Sequence, residues 1–405
     1  MSKPASRSKP ASRAPGCDGQ TVEQFEANLE ANLQELHEQL RSKQYRPRPV
    51  RRVEIPKAGG GMRALGIPAV RDRVVQQAVL QVLTPIFEAK FSSRSHGFRP
   101  ERGCGTALEV VDRAVRHGYE WVVDADISAF FDSVDHELLL THMNEEIADG
   151  SVLRLVRAFL RSGVLMGEAR VEPTEMGTPQ GGPLSPLLGN IYLHAFDQAM
   201  QEGGFGVVRY ADDFVIFART RERAGEALRL AGEVLERLKL RLHPEKTRIA
   251  AIDEGFEFLG YRYLRDKQGD LQKVVGPKAR RRFRERIRKL TPRHAGQKRR
   301  KAKRCTLRRL QRNARIRGMV REVSRYLRDW HSYFGGVRTS WKGHWKELDG
   351  YVRQRLRNAI SGRYAKGRWQ VVLSNETLAA LGFVSLECLH VSQPAGPLKA
   401  APSSG

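Results

Sequence analysis

Apolar residues recur every third or fourth position through Val22, Phe25, Leu29, Leu33, Leu36 and Leu40, which predicts one amphipathic helix. Thr21 and Gln24 stand at its start with the spacing of a capping box. Pro47 and Pro49 stop it. The period then changes. Val50 to Pro56 alternates as a strand does, the tract from Lys57 to Arg63 is a Gly-rich turn, and the chain returns through Leu65 and Ile67. That pattern predicts a hairpin with a basic residue at each end of its tip. Residues 72–90 read as a helix with Val75, Val79, Val82 and Ile86 on one stripe.

Trp121-Val122-Val123-Asp124-Ala125-Asp126-Ile127 is a short apolar run ending in carboxylates, followed by a turn and a helix. Val207 to Phe217 reads as a second hairpin, two apolar runs with Asp212 and Asp213 at the tip. An amphipathic helix spans 221–240, and strands follow near Phe256–Leu259 and Leu271–Val275. From Lys278 to Arg325 the chain reads as helical, divided by Pro292 and Gly296, and a further helical region rich in Trp and Tyr runs from Val323 to about Arg363. Residues 2–13 are the hexapeptide Ser-Lys-Pro-Ala-Ser-Arg twice over, a tract that buries nothing and predicts disorder, as do Pro394–Gly405.

Composition sharpens this picture at one point. The 405 residues carry a net charge of +26, yet residues 16–277 hold 34 basic and 38 acidic side chains. Residues 278–325 hold 22 basic against 2 acidic. A concentrated excess of this kind suits a polyanion, nucleic acid above all. No apolar stretch approaches the roughly 20 residues of a membrane helix. Cys17, Cys104, Cys305 and Cys388 are too far apart for a zinc pair and read as ordinary thiols.

The chemistry gathers in the carboxylates. Asp126 ends one apolar run, and Asp212 and Asp213 sit at a hairpin tip. If those strands are neighbours in one antiparallel sheet, three carboxylates converge, and an oxygen-only cluster suits Mg²⁺. An Asp-Asp pair at a hairpin tip is also ordinary turn chemistry, so the pair alone decides nothing.

The wider set of motifs resembles the bacterial group II intron reverse transcriptases, or maturases. Tyr210-Ala211-Asp212-Asp213 resembles their catalytic box, and Asp126-Ile127-Ser128-Ala129-Phe130-Phe131-Asp132 is similar to their first aspartate motif. Thr178 to Leu188 resembles the nucleotide-pocket motif, and Ser95-His96-Gly97-Phe98-Arg99-Pro100 the fingers motif, which more often has Tyr where His96 stands. Leu242 to Thr247 and Phe258-Leu259-Gly260-Tyr261 resemble later palm motifs, and Tyr326–Phe334 and Trp345–Val352 the maturase region. The likeness covers about residues 16–370.

The resemblance implies an α+β right-hand polymerase: a basic tail at 1–15, fingers at 16–118, a palm at 119–277, a helical thumb and maturase region at 278–372, and a C-terminal tail at 373–405. It implies two Mg²⁺ held by Asp126, Asp212, Asp213 and the Ile127 carbonyl, and a nucleotide pocket of Lys57, Arg63, Ala129, Phe131, Gln180 and Lys246. Phe131 would be the sugar gate, though a core aromatic fits the position too. Lys246 would stand near the leaving phosphate, though a surface lysine fits as well. Arg281, Arg282, Arg284, Arg288, Arg299, Arg300 and Arg304 would grip nucleic acid. The aromatics beyond the palm would stack on unpaired bases, or else form a helical core stripe.

The implied activity is RNA-directed DNA synthesis with binding of intron RNA, in aid of splicing and mobility. Implied partners are template and intron RNA, primer and target DNA, and deoxynucleoside triphosphates, with no membrane and the cytoplasm and nucleoid of a bacterium as the setting. A homodimer stays open. So do two rival functions, a host-adopted reverse transcriptase in defence or repair and a splicing-only RNA chaperone. The repeat tail stands where the family usually has a helical extension, and the paired cysteines and histidines of the family's C-terminal nuclease are not found, so target cleavage is not expected.

Overall fold

The computed structural model describes residues 14–56, 62–166, 170–179, 181–292, 306–336, 343–362 and 368–392. The repeat tail, Lys57, Gln180, Arg299, Arg300, Arg304 and residues 393–405 lie outside the described residues, as does the side chain of Arg63. Among the described residues the strands are, in chain order, β1 Val50–Pro56, β2 Met62–Ile67, β3 Trp121–Asp126, β4 Val164–Met166, β5 Arg170–Glu172, β6 Gly206–Tyr210, β7 Asp213–Ala218, β8 Arg248–Ala251, β9 Phe256–Phe258, β10 Tyr261–Arg265 and β11 Leu271–Val275.

The chain divides into two compact units. The first holds residues up to Gly103 together with Val110–Ile249; the second holds Cys104–Glu109 and the chain from Ala250 onward.

In the first unit, β1 and β2 pair antiparallel as the predicted hairpin, with Ile55 opposite Arg63, so Met62 and Arg63 belong to the second strand and not to the turn. They extend into a four-stranded sheet of order β2-β1-β4-β5. Strands β4 and β5 carry three residues each, too short to leave a period in the sequence. A second sheet has the order β6-β7-β3-β8. Its two central strands are apolar almost throughout because both faces are covered: Val122, Val123, Phe214, Val215 and Ile216 have no exposed surface. The Ser185–Glu202 helix packs on β7, with the Phe196 and Phe214 rings 5.0 Å apart. Thr220 caps the Arg221–Arg237 helix through the Arg223 amide, and Ala224, Ala227, Ala231 and Leu235 make its buried face.

Two helical readings need correction. The predicted helix from Val22 breaks into Val22–Glu26 and Leu29–Arg41. The capping box at Thr21 and Gln24 forms in full, but Leu29 and Leu33 stay 46% and 42% exposed. Only Phe25 and Leu36 of that series are buried. The third helix spans Val70–Glu88, and its core side is Val70, Val75, Leu83 and Phe87. Val82 and Ile86 face outward at 61% and 37% exposure. With Leu and Val on both sides of the helix, the apolar pattern admitted two stripes, and tertiary packing chose one.

The second unit carries a sheet of order β11-β10-β9 and a set of helices. Strand β10, which the apolar pattern had not marked, joins the two strands expected there. The basic region forms the helices Pro277–Leu290, Leu307–Arg312 and Ala314–Phe334. Residues 375–392, expected as part of a tail, form two helices, Asn375–Ala380 and Leu386–Ser392. Buried Asp349 accepts from the Leu386 and Glu387 amides and so caps the second of these.

Candidate active site

The candidate carboxylates meet at one end of the β6-β7-β3-β8 sheet. Strands β3 and β7 are antiparallel, and their register sets Asp126 directly opposite Asp213. Opposed residues in such a pair have α-carbons roughly 4.5–5.5 Å apart. Strands β6 and β7 close through a two-residue turn, Ala211-Asp212, because Tyr210 pairs with Asp213. So tight a turn needs a left-handed residue, and Ala211 supplies it with φ +59, an unusual conformation for a residue with a Cβ. The strand period puts Asp124 on the same face as Asp126. Asp124 is a fourth carboxylate of the cluster, which the motifs did not single out, and Arg248 on β8 lies 3.5 Å from it.

Four acids in one place repel. Burial, followed by the charges of Asp124, Asp126 and Asp212, pushes Asp213 up to about 8, against a smaller opposing pull from Lys246. Lys246 is the local counter-charge, with Nζ donating to Asp126 Oδ2 at 2.6 Å. Its loop is tied to the end of β3: the His243 amide donates to the Asp126 carbonyl at 2.8 Å and the Ser128 amide to the Arg241 carbonyl at 2.9 Å. Those two bonds flank Ile127 and leave its carbonyl out of the bridge. Among the described residues, no three His, Cys, Asp or Glu side chains already stand at metal-ligand spacing. The donor set still fits a hard divalent cation, since it is all oxygen and its mutual repulsion is what such an ion would relieve.

The turn is held from beneath by Arg209, a buried arginine in an otherwise apolar strand. Its Nε and Nη2 donate to the two Asp197 oxygens at 2.8 and 2.5 Å. Its Nη1 donates to Asn190 Oδ1 and, at 2.9 Å, to the Ala211 carbonyl, and Nη2 also reaches Ser95 Oγ. The guanidinium thus joins the Ala211-Asp212 turn to the Ser185–Glu202 helix and to the Ser95–Arg99 loop. Asn190 Nδ2 donates in turn to the Gly97 carbonyl. Gly97 lies so close that a Cβ there would stand 2.4 Å from the Ala211 amide nitrogen. No catalytic motif pointed to this hub; the available signal was a charged residue inside an apolar strand.

Ala129 is left-handed at φ +46 and starts the short Phe130–Ser133 helix. Phe131 is half-buried, its ring 5.0 Å from Phe130, and its carbonyl accepts from the Thr178 amide at 2.7 Å. That bond ties the expected sugar gate to the Gly-Pro loop of the nucleotide-pocket motif. The ring meets core on one side and keeps some open surface, so neither sequence reading is displaced.

In the second unit, Arg281, Arg282 and Arg288 are exposed. Arg284 is committed elsewhere: with Arg280 it pairs with Glu347, and it lies over the Tyr351 ring. A row of exposed arginines not anticipated from motifs, Arg317, Arg321, Arg325 and Arg328, runs along one side of the Ala314–Phe334 helix. The aromatics of that region resolve in favour of the core stripe. Trp330, Tyr333, Phe334 and Trp345 are buried, with the Trp330 ring 4.6 Å from both Phe283 and Phe334.

The family described as reverse transcriptase (RNA-dependent DNA polymerase) matches residues 55–263. Protein YkfC of Escherichia coli is 37% identical over 293 residues, 62% of this chain and 76% of that one. Group II intron-encoded protein LtrA of Lactococcus lactis is 42% identical over 170 residues, 42% of this chain and 28% of that protein. The chain therefore spans under a third of LtrA. Among solved structures, Candida albicans telomerase aligns over 89% of this chain and 66% of its own, with TM-score 0.47 and 12% identity. Among the described residues, no helix is long and apolar enough to cross a membrane. The family match takes in β3, β6 and β7 with all four converging acids, and by it the chain belongs to the reverse transcriptases, with their α+β right-hand polymerase fold.

Proposed function

We propose that this chain is an RNA-directed DNA polymerase of the group II intron type. The observation that supports it most directly is the pairing of Asp126 with Asp213 across adjacent strands, beside a turn that presents Asp212. Asp126, Asp212 and Asp213, with the Ile127 carbonyl, would hold two Mg²⁺. Such ions activate a primer 3′-hydroxyl and stabilise the pyrophosphate leaving group. The chain's own part is to hold the acids together and aimed, while Lys246 opposes the repulsion and burial that raise Asp213. Lys246 neutralises Asp126 and stands where a departing phosphate could be met. Phe131 and Ala129 border the sugar, and Lys57, Arg63 and Gln180 complete the nucleotide pocket. Residues 16–118 act as fingers, 119–277 as palm and 278–372 as thumb and maturase region.

The exposed Arg281, Arg282 and Arg288 are proposed to grip the template–primer duplex and intron RNA. Splicing and mobility of an intron are the proposed second role, suggested by the likeness to a group II intron-encoded protein. The partners would then be template and intron RNA, primer and target DNA, and nucleotides in a bacterial cytoplasm. Primer extension on poly(rA)/oligo(dT) with Mg²⁺ tests the polymerase. Asp212→Ala should abolish product and leave RNA affinity nearly intact. Purified protein that binds RNA but makes no DNA would point instead to a splicing-only chaperone.

A further inference from the structure

Among the described residues beside the Ala211-Asp212 turn, Phe98 is held in place by the fold yet left largely exposed. It is 56% exposed and left-handed, at φ +58. A bulky aromatic rarely adopts that conformation, and where it does the surroundings must impose it. Here both neighbours are fixed. On one side Gly97 is pressed against the Ala211 backbone, and its carbonyl accepts from Asn190. On the other, Arg99 is 7% exposed, bonds Glu88 through Nε and Nη2, and reaches the Ser92 and Ser95 carbonyls through Nη1 at 2.5 and 2.8 Å. The loop is also stitched to β6, the His96 amide donating to the Arg209 carbonyl and the Arg209 amide to the Arg94 carbonyl. A rigid frame therefore holds an apolar ring out in water.

The ring sits next to Tyr210, with centroids 6.2 Å apart and planes at 42°. Tyr210 directly precedes the turn that carries Asp212 and Asp213. The tilt does not admit a base between the two rings, so what Phe98 offers is its outward surface. Strain, exposure and position together favour a nucleobase, since every base has a face that stacks on an aromatic ring whatever its sequence. Of the strands present during synthesis, one must end at the metal-binding acids, the strand carrying the attacking 3′-hydroxyl.

We infer that Phe98, braced by Tyr210, is a stacking platform for a base at the 3′ end of the primer, and so sets the nucleophile's position at the catalytic turn. This rests on the polymerase reading above. The test uses the full-length chain with Phe98→Ala, Phe98→Gly and Phe98→Trp, on a primer–template carrying 2-aminopurine either at the primer 3′ end or at the opposing template base. Stacking quenches 2-aminopurine. The primer-end probe should be quenched by wild type and Phe98→Trp and remain bright with the other two. Extension at subsaturating duplex should fall about tenfold or more in Phe98→Ala and Phe98→Gly, the scale of losing one base–aromatic stack. Phe98→Gly should melt no lower than wild type, because glycine meets φ +58 without strain. Equal quenching and extension across all four proteins overturns the inference, as does a response confined to the template probe, or loss of activity that merely tracks a lowered Tm. A wild-type chain that extends no primer overturns the polymerase reading as well, which separates that failure from this one.

Discussion

At the scale of single residues, charge compensation in the acidic cluster is the controlling fact. Lys246 is 55% exposed and pairs with a partly exposed Asp126. Screening at such a site limits its share in stability to about 1 kcal/mol or less. Lys246→Ala should therefore leave the urea midpoint almost unmoved while primer extension falls at least about tenfold. A large loss of stability with normal extension would show the lysine to be structural. A second prediction concerns imidazoles kept neutral by the fold. Burial first, then neighbouring arginines for His96, His390 for His331, and Arg280 with a lesser part from His390 for His344, lowers these three imidazoles to about 4 from an ordinary 6.5. Between those values the unfolded chain binds protons that the folded chain does not. Stability is thus full above about pH 6.5 and declines as pH falls toward 4. At pH 5 the loss should be about 1–2 kcal/mol per imidazole, read from urea titrations at pH 7.5 and 5.

At the scale of elements, the two-residue turn between β6 and β7 depends on a buried ion pair and a glycine contact. Arg209→Met would leave Asp197 charged and buried without its partner, at a cost of about 3–5 kcal/mol. Ser95→Ala removes one of the five bonds and should cost nearer 1 kcal/mol. Denaturant titration of both variants checks the order. Gly97→Ala tests the same joint from the other side. Its new Cβ would meet the Ala211 amide at 2.4 Å, so the turn must shift and extension should be lost even in protein that still folds, as circular dichroism would show. The hairpin carrying Asp212 and Asp213 and the strand carrying Asp126 were legible in the sequence, because two apolar runs ending in acids have few other readings. The clamp was not, because Asn190, Asp197 and Ser95 lie far from Arg209 along the chain and share no motif with it.

At the scale of the whole molecule, electrostatics dominates. The excess charge is concentrated, and exposed arginines line the Pro277–Leu290 and Ala314–Phe334 helices. RNA affinity should fall linearly in log–log form with salt, with a slope of about −0.7 per phosphate contacted on single strands. Replacing Arg317, Arg321, Arg325 and Arg328 by Gln should flatten that slope without touching the Ala211-Asp212 turn. Filter binding between 50 and 300 mM salt measures it, and an unchanged slope would place the contacts elsewhere.

The sequence by itself settled what short-range pattern can carry. Strand and hairpin periods, the capping box at Thr21, the acids at Asp126, Asp212 and Asp213, and the basic segment all depend on residues close together in the chain. Tertiary structure decided what depends on who faces whom. It set Asp126 across from Asp213, added Asp124 to the cluster, placed Lys246 on Asp126, spent Arg284 on Glu347, and buried Trp330 and Trp345 as core. The reason is physical. A period reports which side of an element is apolar, whereas burial, ion pairing and backbone strain are properties of contacts between elements, and those exist only once the chain has closed on itself.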